Sequence, residues 1–370
     1  MSDYKSGTED LFARMRHITT TLAALFWLSL AASANADILV GVAAPLSGPS
    51  AILGQQIENG AGLAAEAQGV TVKTADDACT ADGGATAARQ LADAKVNIVV
   101  GFLCTEAIEA ALPILKDANI PVITVGVRTE SLTDRRAKTG WPVYRLGPRG
   151  DDERNAVATI LTRLWQNELF AIVDDGTIYG REIAETFRAM AEQAALKPVF
   201  VDTFRPQLDN QIGLIGRLKK AGATKVFAGG DGDDIAIMGR DAAQLNAGIT
   251  FAGGETLRTP PGDVPYAVGT LMIALPEWVE VADPKVVQAF GERKIVTDGY
   301  TLPAYAALEV AKAAVADAES SGKPLAETLT GHDFATAIGT VRFGDKGDLS
   351  QNPFRTFRFD GTHFVPLEEK

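Results

Sequence analysis

The chain reads as an α/β protein made of two similar doubly wound lobes. Three observations carry that reading. Short β-branched apolar runs alternate with longer segments whose apolar residues recur at helical spacing, the pattern of βαβ units with parallel strands. Several runs are continuously apolar, as strands buried on both faces require. The alternation fades after Thr133 and restarts at Asp151, so one plan occurs twice within 370 residues.

Taken in order, Ile38–Ala44 (I-L-V-G-V-A-A) predicts the first strand, and P-L-S-G-P at 45–49 turns the chain. Gly54–Gln68 follows as a helix, with Ile57, Ala61, Ala64 and Ala65 on one side. Val70–Lys73 is a strand running out at Asp76-Asp77, and Thr80–Lys95 is an alanine-rich helix. Val96–Val100, Glu106–Asn119 and Val122–Val125 then give strand, helix, strand. Both strands stop at a glycine followed by small or polar residues. Ligands of open α/β sheets bind beyond the carboxyl ends of the strands, which singles out Thr105, Gly126, Val127 and Arg128. Residues 135–148 show no periodicity.

The second series opens with a helix over Asp151–Gln166 and a strand over Leu169–Val173. Helix Gly180–Ala194, strand Val199–Thr203, helix Asn210–Ala221 and strand Lys225–Ala228 come next. Helix Ile235–Leu245, strand Thr250–Phe251 and strand Thr270–Ala274 complete it. Helices are expected over Pro284–Lys294 and Pro303–Ala318, and short antiparallel strands at Val341–Phe343, Thr356–Phe359 and His363–Val365. One aspartate of each pair, Asp76-Asp77 and Asp174-Asp175, is expected to cap the following helix.

Composition bounds the function. Hydrophobic content of 46 % and charged content of 22 % are ordinary for a soluble globular chain. The net charge of −12 and pI near 4.9 argue against nucleic acid or an anionic membrane as partner. They do not make the ligand cationic, because an acidic surface commonly serves solubility. Ile18–Ala32 is an apolar, hydroxyl-rich run behind Arg14 and Arg16, and Ala34-Asn35-Ala36 fits a signal-peptidase site. A cleaved leader over 1–36 and a periplasmic mature chain from Asp37 follow as expectations. Met15 is a second candidate start. Two cysteines, Cys79 and Cys104, in an exported chain favour one disulfide; two free buried thiols are the alternative.

Enzymatic machinery is not apparent. His332 and His363 neighbour no nucleophile motif, and no nucleophile elbow, phosphate loop or dinucleotide fingerprint occurs. Asp231, Asp233 and Asp234 lack the spacing of a calcium loop, so they are either a solvated loop or a ligand-facing one. Glu255, after two glycines at a strand end, suits an ammonium group by a charge-assisted bond. Tyr179 and Tyr300 are core or cleft aromatics, and Trp141, Trp165 and Trp278 core or surface anchors. No cofactor and no metal are expected.

Eight short motifs stand in order along the chain: S-G-P at 47–49, D-D-A-C at 76–79, G-F-L-C-T at 101–105, E-S-L-T at 130–133, Y-G at 179–180, G-G-E at 253–255, Y-A-A-L at 305–308 and G-D-K-G-D-L at 344–349. With them, from Ile38 to about Gly361, the chain resembles the periplasmic leucine/isoleucine/valine-binding proteins that serve ABC transporters. The resemblance implies the type I periplasmic binding protein fold, with lobes joined by a three-strand hinge and closing on a ligand. It implies lobe 1 over 37–147 plus 275–342 and lobe 2 over 148–274 plus 343–370. It places the family's disulfide on Cys79 and Cys104. It implies that Thr105 binds a ligand carboxylate, that Gly126 and Val127 contribute backbone groups, that Tyr179 and Tyr300 line the pocket, and that Glu255 takes the ammonium.

Three pocket positions depart from the family: a hydroxyl residue is Arg128 here, a first-loop aromatic is Leu53, and a second-lobe tyrosine is Asp231. Arg128 either meets an extra anionic group on the ligand or pairs with Asp231 or Glu255 on closure. The function expected is a monomeric solute-binding protein delivering an amino acid or related small carboxylate to a membrane ABC permease. A periplasmic sensor on the same fold is the alternative.

Overall fold

The computed structural model describes residues 38–367, so the expected leader over 1–36 and its cleavage point lie outside the described residues. Ile38–Lys370 forms one compact unit. Two parallel sheets organise it. The first contains β1 (Leu39–Ala44), β2 (Thr71–Asp76), β3 (Ile98–Gly101), β4 (Val122–Thr124) and β5 (Val143–Arg145), in the order β2-β1-β3-β4-β5. The second contains β6 (Phe170–Asp174), β7 (Phe200–Thr203), β8 (Lys225–Gly229), β9 (Thr250–Gly253) and β10 (Leu271–Ala274), in the order β7-β6-β8-β9-β10. The two orders are the same arrangement written twice. In each, the switch point lies between the first and third strands, where such sheets open a crevice.

Each sheet is covered on both faces. Helices α1 (Ala51–Gln68), α2 (Ala81–Asp93) and α3 (Thr105–Asp117) belong to the first sheet. Helices α4 (Asp152–Leu164), α5 (Ile178–Gln193), α6 (Ile212–Lys220) and α7 (Gly232–Gln244) belong to the second. Val40, Val42 and Val100 face one core together with Ile57 of α1, while Ala43 and Val99 face another with Leu91 and Leu112. Strands packed on both sides must be apolar throughout.

The chain passes between the sheets three times. It leaves β5 through Leu146–Asp151 into α4. It returns after β10 to α8 (Pro284–Glu292) and α9 (Thr301–Ser321), whose Phe290 and Leu302 join the core of the first sheet. It makes a hairpin of β11 (Phe334–Thr336) and β12 (Gly339–Val341), then crosses to β13 (Arg355–Phe359) and β14 (Phe364–Pro366). These last two extend the second sheet antiparallel to β10.

The crossings are stitched by charge. Arg145, fully buried at the end of β5, gives one bond to Asp348 at 2.9 Å, one to the Val127 carbonyl at 2.9 Å and one to Thr133 Oγ1 at 2.9 Å. Arg149 bonds the other Asp348 oxygen at 3.0 Å, Thr133 Oγ1 at 3.0 Å and Asp151 at 2.8 Å. The motifs E-S-L-T and G-D-K-G-D-L therefore meet here.

Three expectations are corrected. Residues 143–145, read as aperiodic, form β5. The strand placed at Val341–Phe343 is shifted to Gly339–Val341 and pairs only with β11, while Phe343 makes isolated bridges. The helix caps are threonines, not aspartates: Thr80 Oγ1 accepts from Gly83 N–H, and Thr177 Oγ1 from Gly180 N–H. Asp77 and Asp175 instead fold back on the turn, accepting from Cys79 N–H and Thr177 N–H, each at 2.8–2.9 Å.

Candidate functional site

The carboxyl ends of both sheets contribute to a cleft of about 280 Å3. Arg128 reaches it from the loop after β4, and Glu255 and Arg258 from the turn after β9. Tyr300 and Pro303 come from the start of α9, and Leu146 to Pro148 from the first crossing. Trp278, expected as a core or surface anchor, lines the same cleft.

Gly126 belongs with this group. A Cβ there would lie 3.0 Å from Tyr300 Cε1 and 2.3 Å from Leu103 Cδ2, so only glycine lets the β4 loop pass under the ring. Arg128 is exposed, and its side chain makes no hydrogen bond or ion pair with the described residues, while its carbonyl accepts from Gly150 N–H at 2.8 Å. In particular it pairs with neither Asp231 nor Glu255. Val127 points into the core, 1 % exposed. Both its backbone groups are engaged: the N–H donates to Thr124 Oγ1 at 3.3 Å and the carbonyl accepts from Arg145.

On the second lobe, the Tyr179 hydroxyl donates to Glu153 Oε1 at 2.7 Å. The backbone N–H of Glu255 donates to the same oxygen at 2.7 Å. Burial holds the Glu153 carboxyl above its ordinary range, and the neighbouring Glu255 charge adds to that. Burial, reinforced by the Glu153 charge, raises the Tyr179 phenol as well. Arg258 is held by Glu277 and the Leu275 carbonyl and approaches Glu255 only at 3.8 Å.

Other predicted positions stand apart. Leu53 is 37 % exposed in the first turn of α1, and Thr105 is exposed at the first turn of α3. Asp231 lines a separate hollow with Gln207, Asp209 and Asp233. Glu153 and Arg258 were not predicted. Acidic residues are common in the first turn of a helix for dipole reasons, so nothing in D-D-E-R at 151–154 marks Glu153 as the partner of Tyr179 and Glu255. Cys79 and Cys104 form a disulfide with Cα atoms 5.3 Å apart. It ties the turn after β2 to the residue preceding Thr105.

The sequence profile described as periplasmic binding protein matches residues 37–363. The chain belongs to the periplasmic binding protein family. The resemblance to its leucine/isoleucine/valine-binding members is borne out by relatives of that name. A Leu/Ile/Val-binding protein homologue of Brucella melitensis biotype 1 is 29 % identical over 361 residues, covering 92 % of this chain and 96 % of the relative. Among solved structures, a putative branched-chain amino acid ABC transporter protein from Rhodospirillum rubrum superposes with a TM-score of 0.73 at 19 % identity, covering 89 % of this chain and 99 % of that one. A solute-binding protein of Rhodopseudomonas palustris HaA2, solved with p-hydroxybenzoic acid, gives 0.57 at 17 % identity, covering 90 % and 96 %. Periplasmic binding proteins of this type share the two-lobed α/β fold described above, and at these identities the solved structures speak for that fold alone.

Proposed function

We propose that this chain is a periplasmic solute-binding protein that captures an amino acid or related small carboxylate by lobe closure and delivers it to an ABC permease. One observation carries the reading: a cleft at the strand ends holds the unpaired cation Arg128 on one side and Glu255 on the other. A charge left without a partner at a strand-end crevice is positioned for a ligand. That Arg128 pairs with neither Asp231 nor Glu255 favours its meeting an anionic group of the ligand. Lobe boundaries at 147/148, 274/275 and 342/343, and Thr105 as a contact recruited on closure from the first turn of α3, belong to the same proposal.

Thermal shift against amino acids, amides and small carboxylates tests it. At least one amino acid or carboxylate should raise the melting temperature; a flat response across the set removes the reading. Calorimetry on Thr105→Ala should then show affinity for the best binder weakened by about 1–3 kcal/mol. Unchanged affinity takes Thr105 out of the site.

A further inference from the structure

Behind Glu255, which lines the cleft, stands a carboxylate that the motif pattern did not select. Glu153, in the first turn of α4, receives two hydrogen bonds on Oε1, from the Tyr179 hydroxyl and from the Glu255 N–H. Its Oε2 accepts none from the described residues and is not among the sealed atoms that lack a partner. Gly254 makes the arrangement possible. A Cβ there would lie 2.3 Å from Glu153 Oε1 and 2.3 Å from the Tyr179 hydroxyl. The glycine therefore brings the Glu255 turn down onto Glu153, close enough for the Glu255 charge to act on it.

The protein matches their charges only in part. Arg258 bonds Glu277 and the Leu275 carbonyl and meets Glu255 only at 3.8 Å. Arg128 stands near enough to act on Glu153 electrostatically but forms no ion pair with it. The phenol proton of Tyr179 is already donated to Glu153, so it is not free for a ligand anion. A monoanionic carboxylate finds repulsion on this wall. A zwitterion supplies a cation to the wall and an anion to Arg128, and charge-assisted bonds of both kinds are the strong ones.

We propose that Glu153 is a specificity residue which, together with Glu255, holds the ammonium group of the ligand, so that the site takes α-amino acids and refuses their deaminated analogues. This rests on the cleft being the ligand site, as proposed above. Burial and the Glu255 charge both oppose ionisation of Glu153; an ammonium between the two carboxylates offsets both effects.

The test pairs ligand with variant. L-leucine, L-glutamate, 4-methyl-2-oxopentanoate, 2-oxoglutarate and 4-hydroxybenzoate are titrated by calorimetry into the wild-type chain and into Glu153→Gln. The wild type should bind one of the two amino acids at least tenfold more tightly than its oxo acid. Glu153→Gln should weaken that amino acid tenfold or more and leave the oxo acid within about twofold. Glu153→Asp, which keeps the charge, should retain the amino-over-oxo preference and guards against a folding defect in the first variant. Equal losses for both members of the pair, or no loss for either, overturn the role of Glu153 while amino-acid binding stands. A wild type that binds only the oxo acids or 4-hydroxybenzoate overturns the ammonium site and leaves a carboxylate-binding protein. A wild type that binds none of the five overturns this inference, and the wider panel above then decides the function.

Discussion

Arg128, just past β4, and Arg145, at the end of the neighbouring β5, have opposite fates. Arg145 closes β5, is fully buried, and spends its guanidinium on Asp348, Val127 and Thr133. Arg128 follows β4, is exposed in the cleft, and spends its side chain on no described residue. A buried cation must be fully bonded or the fold does not tolerate it. An exposed one has no such obligation and stays available. The two are also linked: Arg145 grips the carbonyl of Val127, the residue before Arg128. The satisfied arginine thus fixes the backbone from which the unsatisfied one projects.

The sharpest way to break this contrast is to remove the buried member. Arg145→Met should lower stability by about 3–5 kcal/mol in urea denaturation, because Asp348 loses a buried partner. A loss below about 1 kcal/mol would mean that Arg149 alone satisfies Asp348. Arg128→Ala should behave in the reverse sense. Stability should stay within about 0.5 kcal/mol of wild type, while affinity for the best ligand should fall about tenfold or more, roughly 1.5–3 kcal/mol. Equal damage to stability would place Arg128 with the structural charges.

A smaller effect sharpens the rule at a carboxylate. Asp77 is fully buried, its Oδ2 has no partner, and burial, with the Asp76 charge adding, pushes it from 3.8 up to about 6. The folded chain then binds this proton more tightly than the unfolded chain. The contribution of Asp77 to stability therefore declines as pH rises from about 4 to about 6, and the cost persists at pH 7. Asp77→Asn should flatten that slope and raise stability at pH 7 by about 1–2 kcal/mol. Melting curves at pH 4.5 and pH 7 read both. A steeper slope in the variant would refute the assignment.

The same contrast governs what was legible in the sequence. Continuously apolar strands such as Val96–Val100 and the Gly-ended βα turns were readable, because burial on both faces leaves a local mark. β5 was not: V-Y-R is three residues long, follows Pro142, and ends in an arginine whose acid partner lies 203 positions away. Arg128, Gly126 and Glu255 were singled out by strand-end position and Tyr300 by the resemblance; of these, Arg128, Glu255 and Tyr300 line the cleft. Glu153 was missed because its meaning comes from Tyr179 and Glu255, 26 and 102 residues distant. One aspartate of each pair, Asp76-Asp77 and Asp174-Asp175, is expected as a cap because aspartate is a common one, yet the threonines Thr80 and Thr177 stand better placed to reach the first free N–H.

Helix α9 carries a consequence for how the chain is made. It packs on α1 so tightly that a Cβ on Gly60 would stand 2.0 Å from the Thr301 carbonyl, and its Leu302 and Val310 share a core with Val40 and Ile98 of the first sheet. Residues 301–321 follow every parallel strand of the second sheet in the sequence. Until they emerge from the ribosome, one face of the first sheet has only α1 against it and its core is incomplete. Contacts of such long sequence separation form late, after their loop entropy has been met. The second lobe can reach its parallel strands as one continuous piece. The first lobe must wait for a helix that follows the whole parallel sheet of the second, and the second waits in turn for β13 and β14 at its edge.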